Sequence, residues 1–160
     1  MSKVVRAERF EVVDGRGKVR GLLAVRPEGS PLLLLYDGKG VVRAALDLGS
    51  DGSPSLALHD GDAKLRALLS LGPGGWPALD LSDGEEKLRA RVGLQPDGSP
   101  SLTLRDGDEK LRVLLNLVPD GSPGLHLCDR NEVVRAAVRL EPDGSPSLVL
   151  YDGNVIWQAP

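Results

Sequence analysis

The chain has 160 residues, 41% of them hydrophobic, 27% charged and only 3% aromatic, with a formal net charge of -3. Such a composition excludes a disordered chain, and interleaved acids and bases without a basic block exclude a nucleic-acid binder that works by neutralising phosphates. A lone cysteine, Cys128, excludes an intramolecular disulfide, and the scarcity of rings leaves leucine, valine and alanine to build any core.

Met1-Ser2-Lys3-Val4-Val5-Arg6 opens the sequence with charge and lacks the apolar stretch of a signal peptide, so a cytoplasmic protein is expected. The longest pure aliphatic run, residues 32–35, is far too short to cross a bilayer. Membrane association would require an anchor absent from this chain.

Residues 6–13 form the first predicted strand. Its Phe10 and Val12 stand in the columns that later hold Leu33 and Leu35, then Leu56 and Leu58. Asp14-Gly15 turns the chain, and residues 19–25 return as the second strand. The two-residue period of a strand puts Val19, Gly21, Leu23 and Val25 on one face. Later copies read Val42, Ala44, Leu46, Leu48 and Leu65, Ala67, Leu69, Leu71 there, while Lys64, Arg66, Leu68 and Ser70 illustrate a second face that is mostly polar.

From Asp14 the pattern recurs every 23 residues through Asp37, Asp60, Asp83, Asp106 and Asp129 to Asp152, without insertion. Glycine follows the aspartate in every copy except Asp129-Arg130, as a tight turn needs. The copies are joined by a second turn, such as Asp51-Gly52-Ser53-Pro54 and Asp97-Gly98-Ser99-Pro100, whose proline suits the first residue of the next strand. Helices in place of the return strands are excluded by length, because about seven residues separate the breakers. Twenty-three residues cannot fold alone, so one repeat domain over residues 1–160 is expected, with seven hairpins centred on these aspartates.

Copy four departs most, with Gly72-Pro73-Gly74-Gly75-Trp76-Pro77 as its link and Trp76 in the serine column. At the C-terminal end, counting by 23 puts Trp157 in the column of Val19 and Leu65 and Gln158 in the arginine column. Trp157 would then cover apolar surface that has no next repeat.

The expected fold is all-β: seven hairpins closing into a near-symmetric ring or shallow barrel, with an open antiparallel hairpin solenoid or a flattened sandwich as alternatives. Closure would bring Trp157 against Phe10 or Val12. A plain barrel of about 14 strands at about 4.8 Å has a radius above about 10 Å, which leucines cannot fill. Its centre must flatten, be closed by leaning hairpins, or hold something apolar.

The run Leu-x-Leu-x-Asp-Gly, then Lys-Leu-Arg-Ala, then Pro-Asp-Gly-Ser-Pro, ending in residues 152–160, resembles a group of uncharacterised bacterial β-hairpin repeat proteins of the β-flower fold. The resemblance covers nearly the whole chain. It implies a shallow ring of hairpin petals around an apolar centre, reminiscent of tubby-like barrels, with relatives sometimes tethered to a membrane. It implies no activity.

The residues offer little chemistry. Arg20, Arg43, Arg66, Arg89, Arg112 and Arg135 form a column that could bind phosphates or lipid headgroups, but pairing with carboxylates of the neighbouring turns is the simpler reading. Asp60-Gly61-Asp62 and Asp106-Gly107-Asp108 lack calcium-loop spacing and read as turns. His126 and Cys128 share a strand face without a second pair in register, and the link serines have no histidine column to activate them. No nucleotide-binding fingerprint occurs, so neither an enzyme nor a cofactor is expected. Trp76 and the second-face aliphatics Leu22, Leu68 and Leu114 are candidates for a partner surface or for packing between hairpins. Leu35, Leu58, Leu81, Leu104, Leu127 and Leu150 are the candidate lining of an apolar concavity that would accept a lipid tail or an apolar peptide. The expected function is a non-enzymatic scaffold or binding module, the alternative being a purely structural or self-assembling protein. The oligomeric state is left open.

Overall fold

A computed structural model describes residues 4–159. They form fourteen strands: β1 (Arg9–Val13), β2 (Val19–Val25), β3 (Pro31–Tyr36), β4 (Val42–Leu48), β5 (Pro54–His59), β6 (Leu65–Leu71), β7 (Pro77–Ser82), β8 (Leu88–Leu94), β9 (Pro100–Arg105), β10 (Leu111–Leu117), β11 (Pro123–Cys128), β12 (Val134–Leu140), β13 (Pro146–Tyr151) and β14 (Val155–Ala159). They fall into two compact units divided after Gly75, the first holding β1 to β6 and the second β7 to β14. Each unit is an antiparallel meander. The expected first strand is shorter than residues 6–13, and β2 has the expected bounds.

The two turn families have one geometry. Around Asp14, the Gly17 N–H donates to the Asp14 carbonyl at 2.9 Å and the Asp14 N–H to the Lys18 carbonyl at 2.9 Å. In the link, the Gly29 N–H donates to the Arg26 carbonyl and the Arg26 N–H to the Ser30 carbonyl, both at 2.8 Å. The left-handed residue is therefore the third after the aspartate, Gly17 at φ 76°, and not the adjacent Gly15. Later copies force Ala63, Glu86, Glu109 and Glu132 into that conformation. In each aspartate turn from Asp14 to Asp129, Oδ1 accepts two backbone N–H groups, as Asp14 does from Arg16 at 2.9 Å and Lys18 at 3.1 Å.

Immediately after each such turn the register slips. Val13 lies opposite Val19, but Val12 lies opposite Gly21, which leaves Arg20 as an extra, bulged residue. The same slip leaves out Arg43, Arg66, Arg89, Arg112 and Arg135 in the following copies. The bulge has a cause in the sequence. Five-residue turns with uninterrupted pairing would set Leu35 against Arg43, and the slip sets it against Ala44 instead.

One consequence corrects the sequence-based columns. Partners in an antiparallel pair share a face, so Val19, Val42 and Leu65 lie with Val13, Tyr36 and His59 and away from Gly21, Ala44 and Ala67. The last hairpin is corrected too. Its turn closes with the Asp152 N–H on the Asn154 carbonyl, two residues earlier than elsewhere, so Trp157 pairs with Leu150 and stands in the column of Ala136. Ile156, and not Gln158, takes the bulge position.

The expected ring or shallow barrel is not formed. β1 pairs only with β2 and β14 only with β13, as in the open alternative. The register explains why: in the first unit one straight row runs Phe10, Leu23, Leu33, Leu46, Leu56, Leu69 across the strands without stagger. Barrel closure requires the register to stagger by a fixed shear. In the second unit the row Leu79, Val92, Leu102, Leu115, Leu125, Val138, Leu148, Ala159 is equally straight.

The expected common interior is also missing from each unit. Among the described residues, strands touch only their hydrogen-bonded neighbours within a unit, so each unit is a single layer. Aliphatic residues of the hairpins do share one face, but no second layer covers it. The deepest side chains, Ala137 and Val149 at 2% exposure, belong to the opposite, mixed face, where they sit side by side in the row Leu114, His126, Ala137, Val149.

Candidate functional site

The leucine face is built from three apolar positions per strand. Besides the central row, a second row runs Val12, Gly21, Leu35, Ala44, Leu58, Ala67 in the first unit. In the second unit it runs Leu81, Ala90, Leu104, Val113, Leu127, Ala136, Leu150, Trp157. A third row pairs the strand-opening prolines with Val25, Leu48, Leu94, Leu117 and Leu140. No charged residue stands in any of these rows.

Leu35, Leu58, Leu81, Leu104, Leu127 and Leu150 thus occupy equivalent places in the second row, the first two in the first unit and the other four in the second. They remain between 36% and 48% exposed, so they line an open surface and not a concavity closed by a ring. Two shallow apolar grooves indent this face. One, of about 300 Å³, is lined by Val92, Leu102, Leu115 and Leu117, and the other, of about 230 Å³, by Leu23, Leu33, Leu46 and Leu48. Their lining positions differ by 69 residues, three periods of the repeat.

The rim of each unit is charged but internally paired. Arg135 Nε donates to Asp129 Oδ2 of its own turn at 2.7 Å, and its Nη1 lies 3.3 Å from Asp152 Oδ1 of the next. Arg112 likewise joins the Asp106 carboxylate to the Asp129 carbonyl, and Arg20 joins Asp14 to the Asp37 carbonyl. Arg43 and Arg89 donate to the main-chain oxygens of His59 and Arg105 at 2.9 and 3.0 Å. The arginines are therefore staples between successive hairpins, pairing first with their own turn and not only with the neighbouring one.

These bonds depress the turn carboxyls. Backbone N–H groups of Arg16 and Lys18, then the Arg20 guanidinium, hold Asp14 below the usual carboxylate range. Arg135, then the N–H groups of Asn131 and Val133, do the same for Asp129, partly offset by desolvation. Glu109 and Glu132 add further ties, accepting the N–H of Leu88 at 3.1 Å and of Leu111 at 2.9 Å in the preceding hairpin.

The mixed face carries charge inside its rows. Asp80 and Arg91, directly opposite, make a two-pronged pair with both N···O distances 2.6 Å, and Asp47 accepts from Arg26 and from Ser55 at 2.5 Å each. Leu22, Leu68 and Leu114 lie half-buried on this face. His126 and Cys128 also share it, but His126 faces Leu114 and Ala137 while Cys128 faces Val134. Burial pushes the Cys128 thiol up, away from the reactive thiolate form. Among the described residues no three His, Cys, Asp or Glu side chains gather as metal ligands. Trp76 is half-buried and precedes β7, so it is less exposed than expected.

Sequence reasoning missed the bulge and so the true membership of each face. The signal was present: the residue before each aspartate varies freely (Val13, Tyr36, His59, Ser82, Arg105, Cys128, Tyr151), unlike the leucines that immediately precede it from Leu35 to Leu150. A column that tolerates such variety does not belong to the leucine face.

Fold and site define an all-β hairpin-repeat protein with open, single-layer antiparallel units, each with one uncharged apolar face. No protein-family model matches the chain, and no curated protein matches it. Among solved structures it is similar to the TCP domain of SAS-4 of Drosophila melanogaster, solved in complex with a proline-rich motif of Ana2. Identity is 13%, the match covers 94% of this chain and 97% of that one, and the TM-score is 0.39.

Proposed function

We propose that the protein is a non-enzymatic scaffold or binding module whose working surface is the leucine face. The observation that carries this reading is the uninterrupted apolar character of every strand position on that face, together with its exposure. Exposed apolar area of this extent is rare on monomers unless something binds there. The occupant is apolar, such as a lipid tail, an apolar peptide or the apolar face of another protein chain, because the face offers it no polar partner. The same hairpin pattern supports kinship with the β-flower group at the level of the repeat unit.

Titration of the whole protein with a fluorescent fatty acid, followed by native mass spectrometry, tests the reading. Saturable binding wherever the leucine face is free, lost in Leu58→Glu and Leu104→Glu, is expected. Absence of binding by the fatty acid and by a labelled oligoleucine peptide, with the chain folded and its leucine face free, would overturn it.

A further inference from the structure

We infer that the partner of the leucine face is a second copy of this chain, the two faces packing against each other as the two layers of a β-sandwich. This rests on the reading of that face as the working surface and names its occupant. Three observations carry it.

The first is area. On the leucine face of the second unit alone, Leu79, Leu81, Val92, Leu104, Leu115 and Leu127 are each between 38% and 50% exposed. A continuous field of such side chains matches what a stable interface covers, about 800 Å² on each partner.

The second is self-complementarity. A two-fold interface needs one patch that fits itself, and a face composed of equivalent leucine rows meets that condition. Sheets pack face to face about 10 Å apart with their inner side chains interdigitated. The groove lined by Leu102, Leu115 and Leu117 and its counterpart lined by Leu33, Leu46 and Leu48 are open to receive aliphatic side chains from the other copy.

The third is charge. Pairing the leucine faces desolvates no ionised group, while pairing the mixed faces would bury the Asp80–Arg91 and Arg26–Asp47 pairs. A bilayer surface is a poorer occupant. Amphipathic elements that lie on anionic membranes carry a cationic collar, and here the rim arginines are matched by turn aspartates and the net charge is -3.

The test is sedimentation velocity of the whole protein from about 0.1 to 100 μM, with Trp157 fluorescence in a Trp76→Phe background as a second readout. Trp157 stands on the leucine face and is half exposed in the single chain. A species of twice 17.0 kDa is expected, with Trp157 emission shifting to the blue as it forms. Leu46→Glu and Leu115→Glu should each weaken association at least about 100-fold while circular dichroism still reports strands, and Thr103→Glu on the mixed face should leave it unchanged.

A wild-type chain that stays monomeric throughout overturns the inference. If that monomer still binds the fluorescent fatty acid saturably, the binding-module reading stands without the dimer; if it binds neither the fatty acid nor the oligoleucine peptide, both fall. Association that survives Leu46→Glu and Leu115→Glu but is lost in Thr103→Glu also overturns it, since another surface would then be responsible.

Discussion

Arg135 Nε lies 2.7 Å from Oδ2 of Asp129, six residues earlier, and the other oxygen of that carboxylate holds the backbone of the turn between them. The ionised form of Asp129 is thus bound more tightly in the folded chain than in the unfolded one, and Asp14, Asp37 and Asp83 are shifted in the same direction. Carboxyls with depressed folded values contribute stability that is complete above the ordinary carboxylate range and is lost as pH falls through the folded values. The thermal midpoint should therefore vary little from about pH 7 to 5 and drop below about pH 4. Thermal melts followed by circular dichroism check this, and the Asp129→Asn protein should show a shallower drop. A midpoint that rises on acidification from pH 5 would contradict the assignment.

The left-handed position of the aspartate turns gives a second expectation. Ala63 holds φ 63° where the first copies use Gly17 and Gly40, and a left-handed conformation costs a residue with a Cβ roughly 1–2 kcal/mol. Ala63→Gly should stabilise the protein by about 1 kcal/mol, after allowance for the freer unfolded chain. Glu132→Gly relieves the same strain but deletes the acceptor of the Leu111 N–H, so it should bring no comparable gain. Urea denaturation of the two variants separates the cases.

Gly93 and Gly21 are predicted to respond oppositely to alanine. A Cβ on Gly93 would meet the Pro77 carbonyl oxygen at 2.8 Å and Ala78 Cβ at 3.1 Å, and main chain cannot yield as a flexible side chain can. Gly93→Ala should cost about 1–3 kcal/mol. At Gly21 the nearest atom is Val12 Cβ at 3.4 Å, and Ala44, Ala67 and Ala90 already fill the equivalent places. Gly21→Ala should be neutral or slightly stabilising, as denaturant midpoints will show.

The Asp80–Arg91 pair has good two-pronged geometry, but the arginine side chain is half exposed. Solvent screening limits such a pair to about 0.2–1 kcal/mol. A double-mutant cycle with Asp80→Ala and Arg91→Ala should return a coupling in that range, shrinking in 1 M salt. A coupling of several kcal/mol would mean that the mixed face is covered in solution.

Strand positions, turn sites and the proline-led links were legible because each has a local cause. Asp14 caps its own turn, and Pro54 opens its strand, whatever the rest of the chain does. Faces and closure were not, because they depend on relations between strands. Arg20 counts as an ordinary strand residue until its neighbour across the ladder is known, and one extra residue moves Val19 to the other face. Trp157 was misplaced by a turn two residues shorter than its predecessors, which a strict count of 23 conceals. The ring expectation assumed that leucines on one face must enclose an interior; the straight row from Phe10 to Leu69 has no stagger with which to enclose one.

A bulge at each arginine gathers the aliphatic columns on one face, and methyl–methyl nuclear Overhauser contacts at Leu104 read that arrangement out. Strong contacts are expected from Leu104 to Ala90 on one side and to Val113 on the other, its partners across the ladder. None is expected to Leu111, which lies on the opposite face with Arg105. Strong contacts between Leu104 and Leu111, with those to Val113 missing, would contradict that arrangement.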